Sequence, residues 1–292
     1  MNYISYNNLI EDIKNNLWKI PRDIDGIIAI ERSGIVPAMV ISQYVNIPMA
    51  LFNTFLSHSS ENINYLFEPH GEKLMNKSKN TKKYLVIDDT VCSGKQMKEK
   101  IDTIKEIHPE FTYISCVMYL DAFSGNRIYA PDIYLDIHND SYVLYEWSLF
   151  RDGINNLTLY DFDGVLCYDP PSDTNILEYE KYLKDAKPKF NIITANKYFD
   201  FPINICSYRI KKYYQETVDF LIKYGYKPGQ IFLFNAETIE ERNKIPSYIY
   251  KAHVYQNSNF RLFVESNDYE ALMINQITKR PVLSIEKNKL YK

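Results

Sequence analysis

The chain has 292 residues, of which 46% are hydrophobic and 24% charged, enough apolar residues for two packed cores and too many for a disordered chain. Its 34 Lys and Arg against 37 Asp and Glu leave a net charge of −3, which argues against a broad face that grips nucleic-acid phosphates. No apolar run approaches the ~20 residues of a membrane span.

The first residues are polar and acidic where a signal peptide needs a basic segment and an apolar core. Cys92, Cys116, Cys167 and Cys206 form no Cys-x-x-Cys pair, so a reducing cytosol is expected rather than a disulfide framework or a zinc ribbon. The 26 tyrosines fit either a stacking surface or a bias of composition.

In chain order, Leu9, Ile10, Ile13 and Leu17 recur at helical spacing and predict a helix over residues 5–18. A buried strand is expected at Gly26–Ile30, a helix at Ile35–Val45 with Pro37 in its first turn, and a strand at Met49–Phe52. The stretch 53–82 is polar and ends rich in lysine, a solvated surface or part of a lid. Tyr84–Ile87 reads as a strand, Gln96–Ile107 as a helix and Phe111–Leu120 as a strand. Asn139–Asn156 reads as a linker, within which Tyr145–Phe150 either shapes an acceptor pocket or packs. The second half restarts with strands at Leu157–Tyr160, Phe190–Thr194, Ile231–Phe234, Ala252–Tyr255 and Arg261–Val264, and helices at Tyr214–Tyr224 and Tyr269–Ile277. Alternating strands and helices imply an α/β protein of two doubly wound domains, residues 1–150 and 151–292.

Two stretches carry chemistry. In Tyr84–Gln96, four apolar residues bring the chain to a sheet's carboxyl edge, where Asp88 and Asp89 are followed by a small-residue turn into a helix. Carboxylates suit a sugar diol, and backbone N–H groups at a helix start suit a phosphate, so the spacing fits a ribose 5-phosphate. An acidic helix cap without a ligand is the plainer reading. The run Asp88, Asp89, Thr90, Val91, Cys92, Ser93, Gly94, Lys95, Gln96 resembles the PRPP-binding signature of type I phosphoribosyltransferases, with Cys92 where Thr is usual and Lys95-Gln96 in place of smaller residues. That resemblance implies that Arg32, Ser33 and Gly34, after the first buried strand, hold the diphosphate: Arg32 by charge, the other two through their amides.

The second stretch is Asp161-Phe162-Asp163-Gly164 at the end of an apolar strand. It resembles the first motif of haloacid-dehalogenase-like (HAD) phosphatases. The resemblance makes Asp161 the nucleophile and Asp163 the acid/base, and implies Mg²⁺ held by Asp161, Asp163 (through its carbonyl) and Glu265. It makes Thr194 the hydroxyl that binds the phosphoryl group, and Lys251, with Lys244 as the alternative, the motif lysine. Ser266 and Asp268 stand where relatives carry a second acid, and Arg209 either grips a phosphate or starts a helix at the surface. No long insertion follows the motifs, so any cap is minimal. His58, His70, His108, His138 and His253 lie at no metal-ligand spacing.

A phosphatase joined to a phosphoribosyltransferase would remove the phosphate just installed. The pair resembles two-domain proteins that build ribofuranose into bacterial surface polysaccharides. This implies PRPP as donor, a lipid-linked oligosaccharide as acceptor, no nucleic-acid partner, and work in the cytosol, with peripheral contact at the inner membrane face. The rival readings are a nucleobase phosphoribosyltransferase fused to a nucleotidase and a PRPP-sensing regulator.

Overall fold

The computed structural model describes residues 1–57, 82–122, 126–139, 142–170, 176–189 and 201–292. The chain divides into two compact units, Ile4–Val143 and Leu144–Lys292, the latter joined by Met1–Tyr3. The strands are β1 (Asn2–Ile4), β2 (Gly26–Ala29), β3 (Met49–Leu51), β4 (Lys83–Val91), β5 (Thr112–Asp121), β6 (Ile133–His138), β7 (Val143–Tyr145), β8 (Thr158–Tyr160), β9 (Pro202–Ile210), β10 (Lys227–Phe234), β11 (Leu262–Glu265), β12 (Val282–Ser284) and β13 (Lys289–Tyr291). β1 pairs with β7 in a two-stranded sheet.

In the first unit five strands run in the order β3-β2-β4-β5-β6, every neighbouring pair parallel. β2 and the first part of β4 are buried and apolar, as a sheet covered on both faces requires. The helix Tyr6–Asn16 begins at Ser5, whose hydroxyl caps Asn8 N–H while the Asn8 side chain returns to Ser5 N–H. Leu9 and Ile13 bury its apolar face. Helices Ile35–Val45 and Lys95–Ile107 follow β2 and β4, so both begin at the carboxyl edge of the sheet. β4 is longer than its apolar core predicts: it runs through Asp88 and Asp89 to Val91 because β5 pairs with it as far as Leu120.

In the second unit the order is β10-β9-β8-β11-β12-β13, parallel except for the antiparallel edge pair β12–β13. Three sequence expectations change here. The presumed strand Ala252–Tyr255 belongs to the helix Ser247–Gln256, whose buried residues Lys251, Ala252 and Tyr255 recur at helical spacing. The presumed linker is packed: Leu144, Leu149 and Ile154 enter the core of this unit, and Asp152 caps a short 3₁₀ turn at Ile154 N–H. Arg209 lies at the end of β9, buried, rather than at an exposed helix start. The expected strand Phe190–Thr194 lies outside the described residues. The described helix between β8 and β9 is Ile176–Asp185.

Candidate functional sites

In the first unit, β2–β4 register aligns Ala29 with Ile87, and Ile30 N–H continues the ladder to Ile87 O at 2.9 Å. The loop Glu31–Gly34 is therefore pressed against the end of β4. A Cβ on Gly34 would lie 2.4 Å from Ile87 O and 2.7 Å from Ile30 O, so only glycine fits this approach. Ser33 Oγ donates to Asp88 Oδ1 at 3.0 Å, and Asp89 N–H donates to the same oxygen at 2.9 Å. Both acids are 7% exposed. Burial, then the neighbouring Asp89 charge, pushes the Asp88 carboxyl up to about 7. Beyond Val91, Gly94 adopts φ +78° and abuts the Tyr129 backbone, and Ser93 O accepts Ile128 N–H at 2.7 Å. The turn into the helix Lys95–Ile107 is thus braced from outside, with the positive end of the helix behind it.

The second site forms at the carboxyl ends of β8, β9 and β11. Val264 pairs with Tyr160, and Asp161 N–H bonds Val264 O at 2.9 Å, which sets Asp161 and Glu265 side by side. Lys251, 4% exposed, reaches up from the helix Ser247–Gln256. Its Nζ donates to Asp161 Oδ2 at 2.9 Å, Glu265 Oε2 at 2.8 Å and Glu270 Oε2 at 2.8 Å. Burial disfavours the Lys251 charge, but the Asp161, Glu265 and Glu270 carboxylates outweigh it and hold the ammonium well above its ordinary range. Burial and then the Glu265 charge push Asp161 well up, and Lys251 offsets only part of this.

Asp163 is clamped differently. Arg209, 2% exposed, donates through Nε to Oδ2 at 2.8 Å and through Nη2 to Oδ1 at 2.7 Å, and Tyr182 OH adds a bond to Oδ1 at 2.8 Å. Burial raises the Asp163 carboxyl, but the Arg209 charge and these bonds prevail and hold it below the usual carboxylate range. The guanidinium also sits 4.0 Å from the Phe162 ring centroid. A cavity of ≈ 400 Å³ opens over these groups, lined also by Asp169, Tyr179, Ser207, Tyr208, Arg242, Asn243 and Ser247.

Asp161, Asp163, Asp169, Glu265 and Glu270 face Arg209, Arg242 and Lys251 across this cavity, an excess of two formal negative charges. That balance suits a divalent cation. Among the described residues, no three His, Cys, Asp or Glu side chains are disposed to hold a metal.

Residues 3–147 match the phosphoribosyl transferase domain model. The match spans the parallel sheet and both the Arg32–Gly34 and Asp88–Gln96 segments. Residues 3–147 are a phosphoribosyl transferase domain. Such a domain binds PRPP and transfers its phosphoribosyl group. Purine phosphoribosyltransferase from Pyrococcus horikoshii is 18% identical, over 50% of this chain and 92% of that one, with a TM-score of 0.35. Helicobacter pylori xanthine-guanine-hypoxanthine phosphoribosyltransferase is 14% identical over the same shares, with a TM-score of 0.36. A Neisseria gonorrhoeae protein with bound ppGpp is 18% identical over 50% of this chain and 89% of that one, with a TM-score of 0.36. No curated protein matches the sequence.

Within the phosphoribosyl transferase domain, one sequence expectation is corrected. Gly34 N–H donates to Ile30 O at 3.0 Å, so this amide is spent within the loop and is not presented to a diphosphate. Gly34 serves by its small size, and Ser33 uses its hydroxyl on Asp88. Arg32 is exposed on the same loop. Thr90 and Val91 belong to β4, with Thr90 N–H turned to Asp89 Oδ1 at 2.8 Å, which confines the turn to Cys92, Ser93 and Gly94. Lys95 and Gln96 are exposed in the first helical turn. Cys92 is exposed as a residue, but partial desolvation of its sulfur, then a hydrogen bond to Asp121, raises its thiol, the opposite of an activated thiolate.

In the second unit Asp161, Asp163, Lys251 and Glu265 converge, while Lys244 is exposed. Thr194 lies outside the described residues. Ser207, on β9, is a described hydroxyl that lines the cavity, and sequence reasoning missed it. Tyr160 pairs with Ile205, so Ser207 comes level with the Asp161–Asp163 turn. Its signal was the run Ile203-Asn-Ile-Cys206, mostly apolar and followed by a hydroxyl, a pattern that Asn191-Ile-Ile-Thr194 also shows. Glu270 was missed too: it lies one helical turn into Asp268–Thr278, whereas Asp268 accepts from Tyr291 OH at 2.8 Å. No helix among the described residues is long and apolar enough to cross a membrane.

Proposed function

We propose that the chain is a bifunctional enzyme. It transfers 5-phosphoribosyl from PRPP to a glycan acceptor, then hydrolyses the 5-phosphate, leaving a β-ribofuranosyl residue in a bacterial surface polysaccharide. The observation that supports this most is the Lys251-bridged cluster of Asp161 and Glu265, with Asp163 two residues on, in one chain with a phosphoribosyl transferase domain.

In the first reaction the bond from C1 to the diphosphate breaks as the acceptor hydroxyl adds from the opposite face and gives up its proton to the departing diphosphate, which leaves a β-riboside. Asp88 and Asp89 accept the ribose hydroxyls, and the amides of Cys92–Gly94 take the 5-phosphate. Arg32 meets the charge growing on the leaving diphosphate. In the second, an Asp161 oxygen forms a bond to phosphorus as the bond from phosphorus to the ribose 5-oxygen breaks. Asp163, protonated and released from Arg209, gives its proton to that oxygen. It then takes a proton from water, whose oxygen displaces Asp161 and frees inorganic phosphate. Lys251 holds Asp161 in place and screens it from Glu265; Ser207 or Thr194 binds the phosphoryl oxygens. Mg²⁺, when held by Asp161, Glu265 and the Asp163 carbonyl, neutralises charge between the carboxylate and the phosphate.

PRPP is a cytosolic donor, so a lipid-linked acceptor is met at the inner face of the membrane. The acceptor is tested by measuring diphosphate release from PRPP with Mg²⁺ and either synthetic oligosaccharides or a set of purine and pyrimidine bases. Release with oligosaccharide alone is expected. Release that requires a base and ignores the oligosaccharides supports the nucleobase transferase instead.

A further inference from the structure

A separate cavity, of ≈ 580 Å³, opens in the unit Leu144–Lys292. The strands set it apart from the carboxylates. Asp161 and Glu265 follow β8 and β11, whereas Leu157 and Phe260, which line this cavity, precede those strands. The helix Ser247–Gln256 gives the same direction. Lys251 reaches the carboxylates, and Asn257, just past the helix end, lies about 9 Å farther along the axis.

The wall of this cavity is tied down from behind. Arg280 donates through Nη1 to Ser258 O at 3.1 Å, and the same guanidinium bonds Tyr255 O and Phe260 O. One side chain thus holds three carbonyls of the segment that carries Asn257 and Asn259. On the other side, the buried Asn204 amide accepts from Gln230 N–H at 3.0 Å and donates to Asn156 O at 3.5 Å, which fastens β10 to the start of β8. Side chains mounted on a braced frame lose little freedom when a ligand arrives.

The lining is uncharged. Among the described residues no Asp, Glu, Lys or Arg lines it, although 24% of the chain is charged and the cavity over Asp161 carries both signs. Asn156, Gln230, Asn257 and Asn259 present amides instead. Each amide offers a donor and an acceptor, as does each hydroxyl of a sugar. Phe232 and Phe260 add an apolar wall that suits the C–H face of a sugar ring. Their rings meet edge to face, with centroids 6.5 Å apart and planes at 85°, so they form no parallel slot for a planar base.

We propose that this cavity binds a neutral sugar unit of the acceptor glycan, away from the carboxylates that act on its phosphorylated end. The inference deepens the glycan-acceptor reading, on which its purpose rests. Its volume falls within the range of about 300–1,000 Å³ common to small-ligand sites.

The test is saturation-transfer NMR on the full chain, without PRPP, using maltotriose, lactose, mannobiose and N,N′-diacetylchitobiose, with adenosine as the planar competitor. At least one of the sugars should bind with a Kd on the order of 1 mM, and added salt should leave that value unchanged. The double variant Gln230→Ala with Asn259→Ala removes two exposed amides. It should weaken sugar binding by about fivefold or more, with the thermal midpoint unchanged. Binding of none of the sugars, binding of adenosine in their place, or a Kd that the double variant leaves intact would overturn the site. Sugar binding of the expected kind in a chain that transfers phosphoribosyl only to nucleobases supports the site and removes the glycan acceptor. Transfer to oligosaccharides without sugar binding here does the reverse.

Discussion

Two acid pairs end strands in this molecule, and they are held in opposite ways. Asp88 and Asp89 are adjacent, and Asp88 is held by neutral donors, the Ser33 hydroxyl and the Asp89 amide. Asp161 and Asp163 are separated by one residue, and each is paired with a buried cation: Asp161 with Lys251, shared with Glu265 and Glu270, and Asp163 with Arg209. In the first site the described donors to Asp88 are neutral, and no buried cation is among them. In the second the protein supplies cations in advance and keeps its carboxylates in fixed positions. Conversion of Asp to Asn should therefore act with opposite sign on stability at the two places.

The largest effect should come from Lys251→Met. It leaves Asp161, Glu265 and Glu270 buried together without their shared ammonium, a loss of about 3–5 kcal/mol measurable by chemical denaturation. Phosphatase activity should disappear with it. Asp163→Asn should follow at about 3 kcal/mol, because Arg209 remains buried without its carboxylate. An unfolding midpoint within a degree of wild type would contradict that ion pair.

Gly34→Ala should cost about 2 kcal/mol, since its Cβ would meet two carbonyl oxygens rather than movable side chains. PRPP affinity should fall as well, read by calorimetry. The smallest effect, and the one of reversed sign, is Asp88→Asn. Burial and the Asp89 charge push the Asp88 carboxyl up to about 7 in the folded state, against an ordinary carboxylate value of about 3.9 in the unfolded chain, so the folded state binds more protons between these values. Wild-type stability therefore falls as pH rises through that window and stays lowered above it. Asp88→Asn should gain about 1–2 kcal/mol above pH 7, the gain fading toward pH 4, while transfer is lost. Thermal melts across that range check it.

The sequence carried a great deal of this arrangement. Strands such as Gly26–Ala29 and Leu262–Glu265 are short apolar runs with an acidic residue at their end or two residues beyond it, and a parallel sheet leaves that signature locally. The helix around Lys251 was misread because Ala252-His-Val-Tyr255 is short and mostly apolar, a pattern that suits either element; only packing against β9 and the helix Asp268–Thr278 separates them. Ser207 and Glu270 were hidden for another reason. Their roles depend on which strands are neighbours, and the order β10-β9-β8-β11 is not written in any one segment. Arg209 looked like a surface residue because its partner, Asp163, lies 46 positions earlier.

The claim that joins the two halves is that one product passes through both sites. Incubation of the full chain with PRPP, Mg²⁺ and an oligosaccharide acceptor, followed by mass spectrometry, tests it most directly. Wild type should yield the acceptor plus an unphosphorylated pentose, and Asp161→Asn the same product heavier by one phosphate. If Asp161→Asn still yields the phosphate-free product, the second site does not act on what the first one makes.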